Sequence, residues 1–433
     1  MSVPEPRFAV GHKRRRELKT IGMMGVALLG AWAAVAAIEP ISPAKDEIVQ
    51  IVPDIQKKVM NLPTYAERLK LLQDDRKGGK KMRHDKNWRK AKPLVLTWRC
   101  TDGEKGPWKI MIGKRPDLSD ARVWYKTERK TDKATGRKTG EETSSKIVKY
   151  EVPYANLEIA TEYYWRVCAR GRCDEVRCWP HCKCKESKKT CRSAIASFKT
   201  EDFAPRWMSI EGRVGNIRDL GGRKTLDGRR VRQGMIYRGQ GLNDNSVTGE
   251  SPGRNRLTVA DVEYLVGELG WKTDLDLRSP GETAGLSVSP LGKDVKLVVR
   301  STACYAGIFG EHGMKTMAEN FRLFCDEKNY PIYFHCIGGA DRTGSLAYVL
   351  NGVLGVDRHE LETDWEETFY PTLSEMRDDY TGRQFWCGEW HFDKGFAKFG
   401  DKDDSWNRRI ELYLLACGVT QEEIDRFRAI MLR

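Results

Sequence analysis

Between residues 93 and 200, apolar positions come in short runs separated by turn-forming stretches: 94–98, 108–112, 123–125, 147–152, 163–169 and 194–198. Runs of this length predict strands, and six of them at this spacing suit a small β-sandwich over residues 93–201. From Phe203 onward, helical and strand signals alternate, as in an α/β domain. Thr258 with Asp261 predicts the cap of a helix that carries Val262, Leu265, Val266 and Leu269 on one face. Gly270 stops that helix, and residues 272–277 read as a strand. Met314, Met317, Ala318, Phe321, Phe324 and Cys325 recur at helical spacing, and an apolar strand follows at 331–334. Near the end, residues 406–417 read as a helix closed by Gly418, and Thr420 with Glu423 makes a capping box for a last one.

The first 37 residues follow a different pattern. Lys13-Arg14-Arg15-Arg16 precede an apolar run at 21–37, which reads as an export signal. Ala34 and Ala36 offer an A-x-A cleavage site, and a run of about 17 apolar residues is also just long enough to stay uncut as a bilayer anchor. Arg14-Arg15 before Leu18-Lys19 loosely resembles a twin-arginine signal, but Glu17 stands where that signal usually has an apolar residue, so the route stays open. The expected location is periplasmic or extracellular, with membrane attachment only through an uncut segment. Residues 38–92 carry few strand signals and a modest helical pattern around 48–72, and read as a linker or stalk.

Composition changes this picture in two places. Lys and Arg number 75 against 61 Asp and Glu, a net charge of +14. Much of that surplus lies in runs such as 76–92, which reads as solvated linker, so nucleic acid is not an expected partner. Of twelve cysteines, six are Cys168, Cys173, Cys178, Cys182, Cys184 and Cys191, with Cys100 upstream. In an exported chain these read as disulfides. A zinc knuckle around His181, Cys182 and Cys184 is the rival, although no pair of clean C-x-x-C elements stands at finger spacing.

The chemistry concentrates in His335-Cys336-Ile337-Gly338-Gly339-Ala340-Asp341-Arg342-Thr343-Gly344, between an expected strand and an expected helix. Backbone N–H groups of such a turn point inward as an anion nest, and the helix dipole adds positive potential. The same field favours the thiolate of Cys336, which can attack phosphorus and form a phosphocysteine. Arg342 offers a planar fork to two phosphate oxygens, where lysine is only a point charge. The glycines permit close approach, the Thr343 hydroxyl can donate to the sulfur, and His335 orients the loop through backbone contacts. A buried structural cysteine is the bland alternative.

This decapeptide resembles the H-C-x(5)-R signature of the protein tyrosine phosphatase superfamily, and its D-R-T-G ending narrows the likeness. A second stretch of motifs runs through Asn216-Ile217-Arg218-Asp219-Leu220-Gly221-Gly222, Tyr237-Arg238, and Asp276-Leu277-Arg278-Ser279 with Glu282. Their order resembles the bacterial tyrosine phosphatase family that includes secreted lipid and protein phosphatases of pathogens. The resemblance implies a mostly parallel sheet flanked by helices over residues 203–433. It also implies that Arg218, Asp219, Asp276 and Arg278 support the loop rather than react. The leaving group needs an acid, and no W-P-D loop supplies one. Asp341, inside the loop as in that family and in myotubularin-like phosphatases, is the first choice. Asp276 is the reserve, and orienting Arg342 is the alternative role for Asp341. No metal or cofactor is needed.

Ala340 stands where relatives with lipid activity often carry lysine, which argues against phosphoinositide. Residues 385–392, rich in aromatics, read as ordinary packing or as a wall of the pocket. Leu157, Thr161 and Tyr163 through Val167 resemble the corner of a fibronectin type III module, and 126–145 reads as an exposed hairpin loop. Phosphotyrosine in proteins is the expected substrate. The rivals are an inositol polyphosphate or phosphoinositide phosphatase and a catalytically silent phosphate-binding or adhesive protein. A disulfide from Cys304, Cys325, Cys387 or Cys417 to Cys336 would be a redox brake.

Overall fold

Along β3 (Leu94–Cys100), Leu94, Leu96, Trp98 and Cys100 are buried and the residues between them are half-exposed, the period-two signature of a strand with one face on a core. The computed structural model describes residues 38–68, 70–71, 91–100, 106–126, 146–169, 193–244, 253–368 and 392–433. The first sheet pairs β1 (Ile38–Ser42), β3 and β6 (Lys146–Val152) in the order β1-β3-β6. A second sheet takes β2 (Ile48–Val49), β4 (Trp108–Gly113), β5 (Arg122–Lys126), β7 (Glu162–Ala169) and β8 (Ala196–Thr200) in the order β2-β8-β7-β4-β5. Leu96 and Trp98 of the first sheet share one buried cluster with Trp108, Ile110, Trp165 and Phe198 of the second. The rings of Trp98 and Trp108 meet edge-on, 5.7 Å apart. The Glu158 N–H donates to the Tyr163 hydroxyl at 2.9 Å, which ties the chain before β7 to the strand itself.

The third sheet has the order β13-β12-β14-β11-β10-β9, with β9 (Arg206–Trp207), β10 (Arg218–Asp219), β11 (Ile236–Gly239), β12 (Thr273–Asp276), β13 (Lys296–Val299) and β14 (Ile332–His335). The strands β13, β12, β14 and β11 run parallel, while β10 and β9 are antiparallel additions. Both faces are covered, as parallel strands require. Ile332 and Phe334 join a core with the helices Glu311–Phe324, Asp341–Val353, Trp406–Ala416 and Gln421–Met431. Tyr333, between them, faces the opposite way and stacks on Trp271 at 4.6 Å, beside Tyr237 and Leu265. Register places His335 opposite both Gly239 and Asp276, and Asp276 opposite Val299. Four parallel strands therefore end at one level, the usual place for a site in such a sheet.

Most expected elements appear within a residue or two of their expected ends. The Thr258–Asp261 capping box forms, but its helix is regular only over Val259–Val262 and widens into a π-type turn at Glu263–Glu268 before Gly270, at φ +70°. The stretch read as a linker departs most. Two of its segments pair into sheets, Asp54–Met60 is helical, and buried Arg68 meets Glu366 through Nε at 2.5 Å and Nη2 at 2.7 Å. The Glu201 carboxylate accepts from the Ile51 and Val52 N–H groups at 2.6 and 2.7 Å and from Lys57 at 2.8 Å. Those partners lie far off in sequence, where local periodicity says nothing.

Ala36–Arg433 form one compact unit. Arg206 is buried across the join between its parts, donating to the Asn156 carbonyl at 2.6 Å and to Asp219 at 3.1 Å. Gln233 exchanges two hydrogen bonds with the Ile159 backbone. The apolar export segment, the basic run up to residue 90, the 127–145 insertion, Cys173 to Cys191, Cys387 and residues 385–391 lie outside the described residues. Among the described residues, no helix is long and apolar enough to cross a membrane.

Candidate active site

The chain leaves β14 at His335, turns through residues 336–340 and enters the helix Asp341–Val353. Cys336 is 2% exposed, at the head of that turn. Two close approaches explain glycines here. Gly339 has φ +68°, and a Cβ on it would stand 2.4 Å from the Gly239 carbonyl oxygen. A Cβ on Gly344 would come within 2.6 Å of the Trp365 ring. The Gly241 N–H donates to the Ile337 carbonyl at 3.1 Å, and Ala340 occupies the N-cap position.

Two buried networks hold the turn. In the first, Asn216 Nδ2 donates to the carbonyls of Gly338 and Gly339 at 3.2 and 3.1 Å, and Arg238 Nη2 donates to Gly339 at 2.7 Å. Arg238 Nη1 also reaches Asp364 at 2.7 Å, where Arg218 Nε and Arg223 Nη2 converge at 2.8 and 3.1 Å. Burial pushes the Asp364 carboxyl up, but these three guanidiniums outweigh it and hold it well below the carboxylate range. Asp219 lies further out, accepting from Arg206 and from the N–H groups of Gly221 and Gly234.

In the second network, His335 Nε2 meets Asp274 Oδ1 at 3.0 Å and Nδ1 meets the Cys336 carbonyl at 3.1 Å. Both partners are acceptors, so both ring nitrogens must carry protons. Burial pushes the imidazole down, but Asp276 and Asp274 outweigh it and raise His335 above its ordinary value. Asp276 grips Arg278 Nε and Nη2 at 2.6–3.0 Å, and Arg278 Nη2 reaches Asn243 at 2.6 Å. Burial pushes Asp276 up, but His335 and Arg278 outweigh it and hold Asp276 below the aspartate value. A carboxylate so anchored is a poor proton donor.

The two charged side chains of the first helical turn have their own partners. Arg342 places Nη1 and Nη2 on the two carboxylate oxygens of Glu282 at 2.7 and 2.8 Å. That hydrogen bonding, with Ser279, holds Glu282 down to about 2. An anion bound by Arg342 would therefore have to take its Nε side or displace Glu282, a constraint that spacing alone does not reveal. Asp341 Oδ1 accepts from the Tyr305 hydroxyl. The Thr343 hydroxyl is buried and has no hydrogen-bond partner among the described residues, Cys336 included. Among the free cysteines, Cys304 lies close enough to Cys336 for the Cys336 charge to be felt at the Cys304 thiol. Burial, then Asp341, pushes the Cys304 thiol up to about 11. Cys325 instead donates to the carbonyls of Phe321 and Glu423.

A turn from a strand end into a helix start, with a thiol at its head and a carboxyl and a guanidinium in the first helical turn, suits nucleophilic attack on a phosphate ester. The sequence profile described as the tyrosine phosphatase family matches residues 209–433, more than half of the chain. The chain belongs to that family. It is 28% identical over 196 residues to a protein of Cupriavidus necator that carries a tyrosine-protein phosphatase name, covering 38% of this chain and 67% of that one. A tyrosine-protein phosphatase of Nostoc commune is 24% identical over 206 residues, covering 40% and 70%. The core catalytic domain of the PP-IP phosphatase SIW14 from S. cerevisiae, solved with citrate, is 19% identical over 34% of this chain and 82% of that one. Its TM-score is 0.22. This tyrosine phosphatase family member is an enzyme, a phosphatase acting on phosphorylated substrates, and every motif residue considered above from Asn216 to Gly344 lies in the matched segment.

Motif reading missed Asp364, Asp274 and Tyr305, and gave Glu282 no role. Asp274 had a signal, since Asp274 and Asp276 alternate with Leu275 and Leu277 along the strand and its end. Asp364 and Tyr305 had none, because their partners are distant in sequence.

Proposed function

We propose that this phosphatase hydrolyses phosphotyrosine in proteins through a phosphocysteine on Cys336, in a cysteine-dependent phosphatase fold behind a fibronectin type III-like β-sandwich. The observation that carries the reading is the braced turn at 336–340, which opens at the level where four parallel strands end and leads into Asp341 and Arg342. Cys336 attacks phosphorus, Arg342 and the turn's N–H groups hold the equatorial oxygens, and Asp341 protonates the leaving phenol. Water then releases phosphate. His335 and residues 337–340, 343 and 344 shape the cradle, while Asn216, Arg218, Arg238, Asp276 and Arg278 stiffen it.

The three-strand and five-strand sheets with a common core, and the Tyr163 tie to the backbone, favour the β-sandwich reading. Export, with disulfides among Cys168 to Cys191, rests on the apolar run at 21–37. The test is turnover by the full chain of a phosphotyrosine peptide, a phosphoserine peptide, a phosphoinositide and inositol hexakisphosphate. Preference for the phosphotyrosine peptide by at least about tenfold in kcat/KM, some 1.4 kcal/mol, is the expected result. Preference for an inositol phosphate would transfer the function to that class, and binding without turnover would make the protein a phosphate binder.

A further inference from the structure

Tyr305 stands out on two independent grounds. It is a bulky residue at φ +55°, in the left-handed region where L side chains are strained. It is also fixed to the first turn of the helix Asp341–Val353 at both ends. Its N–H donates to Ser345 Oγ at 3.2 Å, and that hydroxyl donates to the Asp341 carbonyl at 2.9 Å. Its own hydroxyl donates to Asp341 Oδ1, and its ring meets Trp365 edge-on at 5.7 Å. Trp365 in turn packs under Gly344. Strain of this kind persists where surrounding contacts over-determine it, and here two of those contacts lead to Asp341, one to its carboxyl and one through Ser345 to its backbone carbonyl.

We infer that Tyr305 is the positioning residue for proton transfer by Asp341, holding Oδ1 so that Oδ2 carries the proton to the leaving oxygen. This rests on the reading of Asp341 as the acid. As the Cys336 thiolate forms its bond to phosphorus, the bond from phosphorus to the leaving oxygen breaks, and that oxygen takes the proton from Oδ2. The resulting Asp341 carboxylate keeps the Tyr305 hydrogen bond, which strengthens as charge develops. Water next gives a proton to Oδ2 while its oxygen attacks the phosphocysteine, and the thiolate of Cys336 leaves. Tyr305 gains and loses no proton in either step.

The test uses the full chain with 2,4-dinitrophenyl, para-nitrophenyl and phenyl phosphate, whose leaving groups need increasing help from an acid. The variants are Asp341→Asn, Tyr305→Phe and the double variant. Phe keeps the ring against Trp365, and circular dichroism checks that each variant is folded. Asp341→Asn is expected to lose kcat by on the order of 10²–10³-fold on phenyl phosphate and only a few-fold on the dinitrophenyl ester. Tyr305→Phe is expected to repeat the slope more weakly, with about a tenfold loss on phenyl phosphate and almost none on the dinitrophenyl ester. The double variant should be no slower than Asp341→Asn, because Tyr305 acts through Asp341. A Tyr305→Phe loss equal on all three esters, no loss at all, or losses that multiply in the double variant would overturn the inference. A flat Asp341→Asn series would instead remove Asp341 from the acid's role, and the positioning claim with it.

Discussion

Asp364 has a single carboxylate between three buried guanidiniums, of Arg218, Arg223 and Arg238, and two of those arginines reach the 336–340 turn directly or through Asn216. Its worth follows from what its removal leaves behind. Asp364→Asn keeps the shape and withdraws the compensating charge from three desolvated cations, so unfolding free energy is expected to drop by about 3–5 kcal/mol in urea titration. A drop below about 1 kcal/mol would mean that water reaches the arginines and that the network is not the brace described. Cys336, Asp341 and Arg342 could be singled out from sequence because they lie within seven residues of one another and their residue types fit one reaction. Asp364 could not, since Arg218 lies 146 residues away. Tyr305 was equally hidden, its bond to Asp341 spanning 36 residues from a loop with no motif of its own.

At the scale of elements, the helix Arg358–Glu367 places Asp364 and Glu367 one turn apart with opposite fates. Glu367 is fully buried, neither carboxylate oxygen has a hydrogen-bond partner among the described residues, and desolvation pushes it up to about 8. Its folded value thus lies above the unfolded one, near 4.5. The stability that it contributes as a neutral acid is complete below the unfolded value and is lost as pH rises through the folded one. Wild-type unfolding midpoints should therefore fall between about pH 5 and 8, and Glu367→Gln should flatten that fall. An unchanged slope in the variant would show that Glu367 is ionised in the fold. The elements that periodicity read well were those with a complete local signal. β3 alternates over its whole length, and the Thr258 and Thr420 capping boxes form as their spacing suggests. Strands of two residues such as β2, β9 and β10 carry no period, and β1 is interrupted by a register shift between Pro40 and Ser42. Such segments are strands because of their neighbours.

Across the whole molecule, the register of the parallel sheet levels Gly239, Asp276, Val299 and His335, and the loops that follow supply Glu282, Tyr305 and the 336–340 turn to one place. The tyrosine phosphatase family match covers this part and stops short of the β-rich part before it. Arg206, Gln233 and Asn156 lock the two parts together, so the N-terminal strands act as a fixed support for β9 and β10. In the reaction proposed for this site, one sulfur atom, that of Cys336, does the attacking. The most direct measurement is an acid quench of the full chain during turnover of a phosphotyrosine peptide, followed by mass spectrometry of the peptide that contains Cys336. A phosphoryl group on Cys336, with both the adduct and turnover abolished in Cys336→Ser, is the expected result; turnover that survives in Cys336→Ser would contradict it.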